Sequence, residues 1–447
     1  MSFSGILPAF GQFSLPFRVP ARVAVDTRCV CRDALFFALP GANTDGHQFL
    51  EEAAQGGAVA AVISKKFTGH VPQHLSVLRV EDPLATLQHL ARKYVETLGA
   101  KAIAITGSIG KTTTKEFVRQ ILAHGEKVLF SEGNQNSQIG LPLCLLNNAA
   151  GDERWIVAEM SMTHPGHISN LISIVPPYIA AVVCVAFVHV ENFSGLEGIA
   201  RAKAEIFGHK NTEFALYNAD TAHADILEKN GYGAKRAFSS NGNSAYWSLA
   251  ITDDSLVITE EKTKHVLPKP VFPARHVYDN LLAAVSICRA ANVSWEQIIT
   301  ALPTLKLYQR RLEVKELAGI TFINDAYNAT DLSMLSALEA LSSHSSRRRV
   351  AVLGQMKELG PFSIDCHQRV GRKALEVADT LYCLGQDCAP MVEIWRSHGR
   401  PCFWTCSLEE LTQKLLEDVK ENDAVLLKGS RSNHLWEVID SFERRKI

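Results

Sequence analysis

The residues best suited to chemistry form one run, Thr106-Gly107-Ser108-Ile109-Gly110-Lys111-Thr112-Thr113, between an apolar stretch at 102–105 and a helix-like stretch at 113–123. Glycines let a backbone fold around a phosphate so that several N–H groups and a helix N-terminus point at it. A lysine adds a mobile cation, and a threonine hydroxyl can ligate Mg²⁺. The spacing Gly107-x-x-Gly110-Lys111-Thr112 is shorter than the usual phosphate loop, which would need glycine where Ile105 stands. A bare strand-to-helix turn would require neither the lysine nor the hydroxyls, so the run is read as a nucleotide phosphate site. Further along, Trp155-Ile156-Val157-Ala158-Glu159 reads as a strand ending in a carboxylate. Carboxyl ends of strands line the crevice of an open α/β sheet, so Glu159 is expected beside the loop as a metal ligand. The apolar residues 179–188 read as a buried strand that sends His189 toward the same edge. A histidine beside an apolar run is more often a hydrogen-bonded core residue; the shared edge with Lys111 and Glu159 is what favours a site role. Lys203, within Ala202-Lys203-Ala204-Glu205-Ile206, would by itself be a surface lysine.

The elements that must position these residues follow from hydrophobic patterning. Apolar runs at 34–39, 58–63 and 77–80, with a helix-like stretch at 49–55, describe a small α/β unit; an amphipathic helix over 84–98 closes it and Gly99 stops that helix. Strands at 102–105, 155–158 and 179–185 alternate with helices in the βαβ manner of a parallel sheet, with a small antiparallel excursion at 249–258 and a helix at 279–291. Strands at 320–323, 349–353, 380–384 and 424–427, alternating with helices near 333–342, 366–378, 408–419 and 433–442, describe a second doubly wound unit. The expected fold is α/β in three units: a small N-terminal unit (1–98), a central phosphate-loop unit with a parallel sheet (99–306) and a C-terminal Rossmann-like unit (307–447).

Composition narrows the function. With 46 Lys plus Arg against 47 Asp plus Glu there is no global field to hold nucleic acid or an anionic membrane, so charged ligands must be held locally. The longest apolar stretch is about half of what a bilayer span requires, and the amino terminus has no basic run ahead of its apolar residues, so a cytoplasmic protein is expected. The ten cysteines lack paired C-x-x-C spacing and are read as reduced packing thiols rather than zinc ligands.

The loop at 107–112, then Glu159, His189 and Ala202-Lys203-Ala204-Glu205-Ile206, follow the order and spacing of the Mur ligases, which the chain resembles over nearly its whole length. Asp26-Thr27-Arg28, Leu35-Phe36-Phe37-Ala38-Leu39-Pro40-Gly41 and Asp45-Gly46-His47 resemble the family's nucleotide-sugar domain. Gly133-Asn134-Gln135-Asn136 resembles its central domain, and Asp325-Ala326-Tyr327-Asn328-Ala329 with Leu427-Lys428-Gly429-Ser430-Arg431 its last domain. The resemblance implies an ATP-dependent ligase that makes an acyl phosphate and joins D-alanyl-D-alanine to UDP-N-acetylmuramoyl-tripeptide. It implies ATP on Thr106 to Thr113, with Lys111 on the β and γ phosphates, Asn280 near adenine, Arg311 at the phosphates and Asp325 near the ribose. It further implies one Mg²⁺ on Thr112 and Glu159, a second on His189, and a Lys203 carbamylated by CO₂ to support the metals. Thr27, Arg28, Asp45, Gly46 and His47 would hold the nucleotide sugar. Asn134, Asn136, Tyr327, Asn328, Lys428, Ser430 and Arg431 would hold the remaining substrate. A monomer is expected.

Five positions depart from the family pattern: Cys184, Val277, Ala326, Thr330 and Gln355 each remove or change a hydrogen-bonding group. They leave two alternatives open, a family member that adds a single amino acid and a relative that binds nucleotide without turnover.

Overall fold

The computed structural model describes residues 3–41, 44–187 and 192–445. Three sheets organise them, and apolar packing is continuous from the first sheet to the second and from the second to the third. The first is four parallel strands in chain order, β1 (Arg22–Ala24), β2 (Ala34–Phe37), β3 (Ala58–Ser64) and β4 (Ser76–Val80). β2 is buried along its whole length and β3 nearly so, as expected of parallel strands covered on both faces. The helix Pro83–Leu98 starts on the Asp82 carboxylate, which accepts from the N–H groups of Leu84 (2.8 Å) and Ala85 (3.1 Å). It ends at Gly99 in the left-handed region.

The second sheet has the order β13-β12-β11-β10-β9-β8-β5-β7-β6. Its strands are β5 (Lys101–Thr106), β6 (Val128–Phe130), β7 (Trp155–Glu159), β8 (Ile179–Val182), β9 (Phe214–Asn218), β10 (Ala234–Ser239), β11 (Trp247–Ile251), β12 (Ser255–Glu260) and β13 (Thr263–Pro268). It is parallel from β6 to β11 and antiparallel beyond. After β5 the chain builds β6 and β7 on one side, then β8 and its successors on the other. The carboxyl end of β5 is therefore the point where the winding reverses and a crevice opens. Ile105 pairs with Glu159 and Thr106 with Val182, so loop, carboxylate and the segment after β8 emerge side by side.

The third sheet has the order β14-β15-β19-β16-β17-β18, from β14 (Glu313–Leu317), β15 (Ile320–Asn324), β16 (Arg348–Gly354), β17 (Thr380–Leu384), β18 (Cys402–Thr405) and β19 (Asp423–Lys428). Only the edge pair β14–β15 is antiparallel. β15 and β19 are neighbours, so Asp325 and Lys428 meet where the two strands end.

Two elements are shorter than the patterning implies. The strand over 179–185 ends at Val182, because the next residues bind the phosphate loop: Val183 N–H donates to Thr106 O (2.9 Å), and Ser108 N–H to Cys184 O (2.7 Å). The helix over 433–442 starts only at Glu437, since His434 adopts φ 52° and breaks the turn begun at Arg431–Asn433. The antiparallel excursion is larger than the sequence suggests, with β13 adding a second hairpin. Among the described residues no helix is long and apolar enough to cross a membrane.

Candidate active site

The central helix Lys111–Leu122 begins directly at the phosphate loop. Its cap, Gly110, has φ 82°, and a Cβ there would collide with the Asn280 amide, so glycine is needed both for the backbone and for the close approach of the helix Arg275–Ala290. Ser108 ties the loop to the segment after β8, its Oγ accepting from Ala186 N–H and donating to Ala186 O (both 2.8 Å). The Lys111 ammonium donates to the loop's own carbonyls, Gly107 O (2.6 Å) and Ser108 O (3.2 Å). Burial lowers its pKa; Glu159 opposes that shift and Arg311 adds to it. A desolvated cation whose bonds among the described residues go to neutral carbonyls is poised to move onto an anion.

Glu159, buried at the end of β7, is held by Ser131 and Asn136, and Lys115 fixes Ser131 in turn. Ser131 Oγ accepts from the Glu159 N–H (2.8 Å), Lys115 Nζ donates to Ser131 O (2.6 Å), and Asn136 Nδ2 donates to Glu159 Oε1 (2.7 Å). Among the described residues Glu159 Oε2 has no partner. A buried carboxylate with one oxygen oriented and the other unpaired suits a hard cation. Mg²⁺ keeps several waters and takes only one or two carboxylates plus phosphate oxygens, so a single such carboxylate beside the loop suits it. His189 lies outside the described residues. Lys115 and Ser131 were not legible as site residues; the one hint is a lysine four positions after Lys111, on the same helix face.

Lys203 is 2% exposed on the helix Gly195–Ala204, and its pKa is pushed well down, first by burial and then by the Lys111 charge. Sequence alone would leave this side chain on the surface, and the structure corrects that.

A cavity of about 570 Å³ separates the loop, Asn134, Asn136, Glu159, Cys184 and Asn280 from Arg311, Asp325, Tyr327, Asn328, Ser430 and Arg431 of the third unit. Arg311 crosses it, donating from Nη2 to Thr112 Oγ1 (3.3 Å) while its guanidinium lies 4.3 Å from the Tyr327 ring centroid. Asp325 Oδ1 accepts from Leu312 N–H (3.2 Å), which fixes the backbone next to Arg311. Lys428 also lines the cavity. It is buried, and its ammonium donates to Asp325 Oδ2 (2.5 Å) and Asn328 O (3.1 Å), which holds the acid at the cavity wall. Ser430 Oγ donates to Asn433 Oδ1 (2.8 Å).

The N-terminal residues singled out in the sequence do not line this cavity. His47 Nε2 accepts from Ser64 N–H (2.9 Å), so Nδ1 carries the proton and donates to Asp45 Oδ1 (2.6 Å); the ring stacks on Phe67 at 4.7 Å. Gly46 leaves no room for a Cβ, which would sit 2.7 Å from Leu39 N. The three therefore build a turn, and neither ring nitrogen of His47 is available for a ligand. Thr27 Oγ1 donates to Glu52 (2.7 Å), whereas Arg28, paired only with Asp26, keeps a side chain 85% exposed. Replacing His47 with alanine strands the Ser64 N–H and removes the stack. An expected loss of about 2–4 kcal/mol should appear in urea unfolding, with nucleotide binding by the folded protein unchanged.

The departures from the family pattern are mild in place. Cys184 still supplies its backbone carbonyl to Ser108, and Thr330 caps the helix Asp331–Ser342 through Ser333 N–H (3.3 Å). Val277 and Ala326 are buried apolar residues. The Gln355 amide bridges Lys357 Nζ (3.0 Å) and Asp387 (3.2 Å).

A phosphate loop at the reversal point of one parallel sheet, facing an arginine and an acid from a second sheet, defines a nucleotide-using enzyme that works between two α/β units. Models of the Mur ligase middle domain, the glutamate ligase domain and the family's catalytic domain match residues 105–288, 310–431 and 21–95. The chain belongs to the Mur ligase family. It is 32% identical over 426 residues to the UDP-N-acetylmuramoyl-tripeptide–D-alanyl-D-alanine ligase of Bacillus subtilis, covering 93% of this chain and 92% of the relative. With the Escherichia coli ligase of the same name it shares 31% identity, covering 94% and 93%. A crystal structure of MurF from Acinetobacter baumannii superposes with a TM-score of 0.86 at 26% identity, covering 99% and 98% of the two chains. MurF ligase from Thermotoga maritima in complex with ADP gives 0.78 at 27%, covering 95% and 97%.

Proposed function

We propose that the chain is an ATP-dependent ligase that joins D-alanyl-D-alanine to UDP-N-acetylmuramoyl-tripeptide, giving UDP-N-acetylmuramoyl-pentapeptide for peptidoglycan synthesis. The carrying observation is the pairing of Lys111 and a half-unpaired, buried Glu159 on one wall of the cavity with Arg311 and the Asp325–Lys428 pair on the other. The relatives' shared name supplies the substrates.

In this reading units 1–98, 99–306 and 307–447 hold the nucleotide sugar, ATP and the incoming dipeptide respectively. Thr106 to Thr113 wrap the phosphates, and Lys111 leaves the Gly107 and Ser108 carbonyls for them. Asn280, beside Gly110, lies toward the base and Asp325 toward the ribose. Arg311, stacked on Tyr327, moves with the third unit onto the phosphates. Thr112 and Glu159 would hold one Mg²⁺ and His189 a second, and such ions would supply charge neutralisation between the γ-phosphate and the tripeptide carboxylate, two anions that otherwise repel. The carboxylate oxygen bonds to the γ-phosphorus as ADP leaves. The dipeptide amine then forms the amide bond, losing its proton as phosphate departs. Asn134, Asn136, Asn328, Ser430 and Arg431 line the path of the peptide groups, and Arg28 with Thr27 contact the uridine end. The enzyme works as a cytoplasmic monomer.

Lys203 is carbamylated. A carbamate forms only from a neutral amine, and burial beside Lys111 favours that form; the product is an anion between two cationic demands, Lys111 and the metals. Stripping CO₂ from the assay should lower the rate severalfold and bicarbonate should restore it, with Lys203→Ala inactive. Indifference to bicarbonate together with an active Lys203→Ala would remove this role. For the reaction itself, mass analysis after incubation with ATP, Mg²⁺ and both substrates should show the tripeptide extended by one dipeptide; unextended tripeptide beside intact ATP would reject the reading.

A further inference from the structure

One wall of the cavity comes from the loop 355–363 after β16, which contributes Lys357 and Leu359. Its path turns sharply, with Glu358 at φ 63° and Gly360 at φ 51°, and its far end sets the Phe362 ring 5.8 Å from the Phe187 ring of the segment after β8. A loop bent this way keeps one shape only if its ends are fixed. Backbone bonds from Gln355 N–H to Leu384 O (3.0 Å) and from Ser430 N–H to Gln355 O (3.2 Å) anchor its start, and one buried side chain bonds to both ends. His367, fully buried on the helix Ser363–Val377, accepts from Met356 N–H through Nε2 (3.1 Å) and donates from Nδ1 to Ser363 O (2.7 Å). Met356 enters the loop and Ser363 leaves it, so the imidazole spans both ends.

We infer that His367 is a positioning residue for ligation, its neutral Nδ1–H imidazole holding the loop 355–363 so that Lys357 and Leu359 wall the acceptor side of the cavity. The inference rests on the proposed ligase reading for what binds there. The loop belongs to the third unit and lines the cavity together with Thr330, Ser430 and Arg431 of that unit. Arg311 and Asp325, the groups of this unit assigned to ATP, are anchored elsewhere, on Thr112, Tyr327, Leu312 and Lys428, so loosening the loop should weaken use of the dipeptide and leave ATP alone. Burial lowers the imidazole pKa, with the Ser363 carbonyl and Asp387 acting against that shift and Lys357 with it. The ring thus stays an acceptor for Met356 through neutral pH.

Glutamine and asparagine separate the two bonds. His367→Gln carries an amide oxygen near the Nε2 position and keeps the Met356 bond, whereas His367→Asn reaches only the Nδ1 position and loses it. The expected result is a dipeptide KM raised about tenfold or more in His367→Asn, since a misplacement of ~1 Å can cost up to about 10²-fold. In His367→Gln it should stay within about threefold of the parent, with the ATP KM unmoved in both. Hydrogen exchange at the Met356 amide, read without turnover, should be fast in His367→Asn and protected in His367→Gln. Equal dipeptide KM values for the two variants, or equal protection of Met356, would overturn the inference. If the unsubstituted enzyme makes no pentapeptide, the ligase reading fails by itself, and the exchange experiment still decides whether His367 holds the loop.

Discussion

Replacing Lys111 with methionine is expected to lower phosphate release about 10²–10³-fold or more while leaving the protein folded. Among the described residues the side chain bonds to Gly107 O and Ser108 O of its own loop and to no other element, and methionine fills much the same volume without a charge. What disappears is a cation already stripped of water, which an anionic transition state recovers and a neutral loop does not. Arginine is not a conservative replacement: its planar fork cannot enter a loop sized for an ammonium, so Lys111→Arg should lose nearly as much. Parallel measurement of ATP binding, turnover and thermal unfolding checks this. Turnover within about threefold of the parent would take the loop out of the chemistry.

Glu159→Gln is the second large effect. Asn136 Nδ2 can still donate to the glutamine Oε1, and the backbone N–H keeps Ser131 Oγ, so the side chain remains placed while its charge is gone. The expected outcome is a fall in kcat of about a hundredfold or more and a strong rise in the Mg²⁺ concentration needed for half-maximal ATP binding, because a metal site loses its carboxylate. Calorimetric titration of nucleotide at stepped Mg²⁺ separates metal loss from misfolding. A Mg²⁺ requirement equal to that of the parent would mean that the unpaired Oε2 serves something other than a cation.

Legibility of the sequence followed burial. β5, β7, β17 and β19 are runs of residues buried almost throughout, and such runs stand out in a sequence. The edge strand β14, Glu313 to Leu317, alternates exposed and half-buried positions and carries two glutamates and a lysine, so hydrophobic patterning is silent there; pairing with β15 makes it a strand. β8 ends early because its continuation exchanges sheet bonds for bonds to the loop, a tertiary choice that no local pattern encodes. At the site, Lys111 and Glu159 were readable from residue type and position. The burial of Lys203 was not, since a lysine on a helix looks solvated until the packing around it is known. His47 and Lys428 show the converse: residues with ligand-like chemistry whose polar atoms turn out to be used within the fold.

The central claim is tested most directly by phosphate release from the purified protein with ATP and Mg²⁺, in the presence or absence of UDP-N-acetylmuramoyl-tripeptide and of D-alanyl-D-alanine. Single amino acids should also be offered in place of the dipeptide. The account predicts release that requires both peptide substrates and stops when either is withheld. Release supported equally by a single amino acid, or nucleotide binding with no release under any combination, would contradict it.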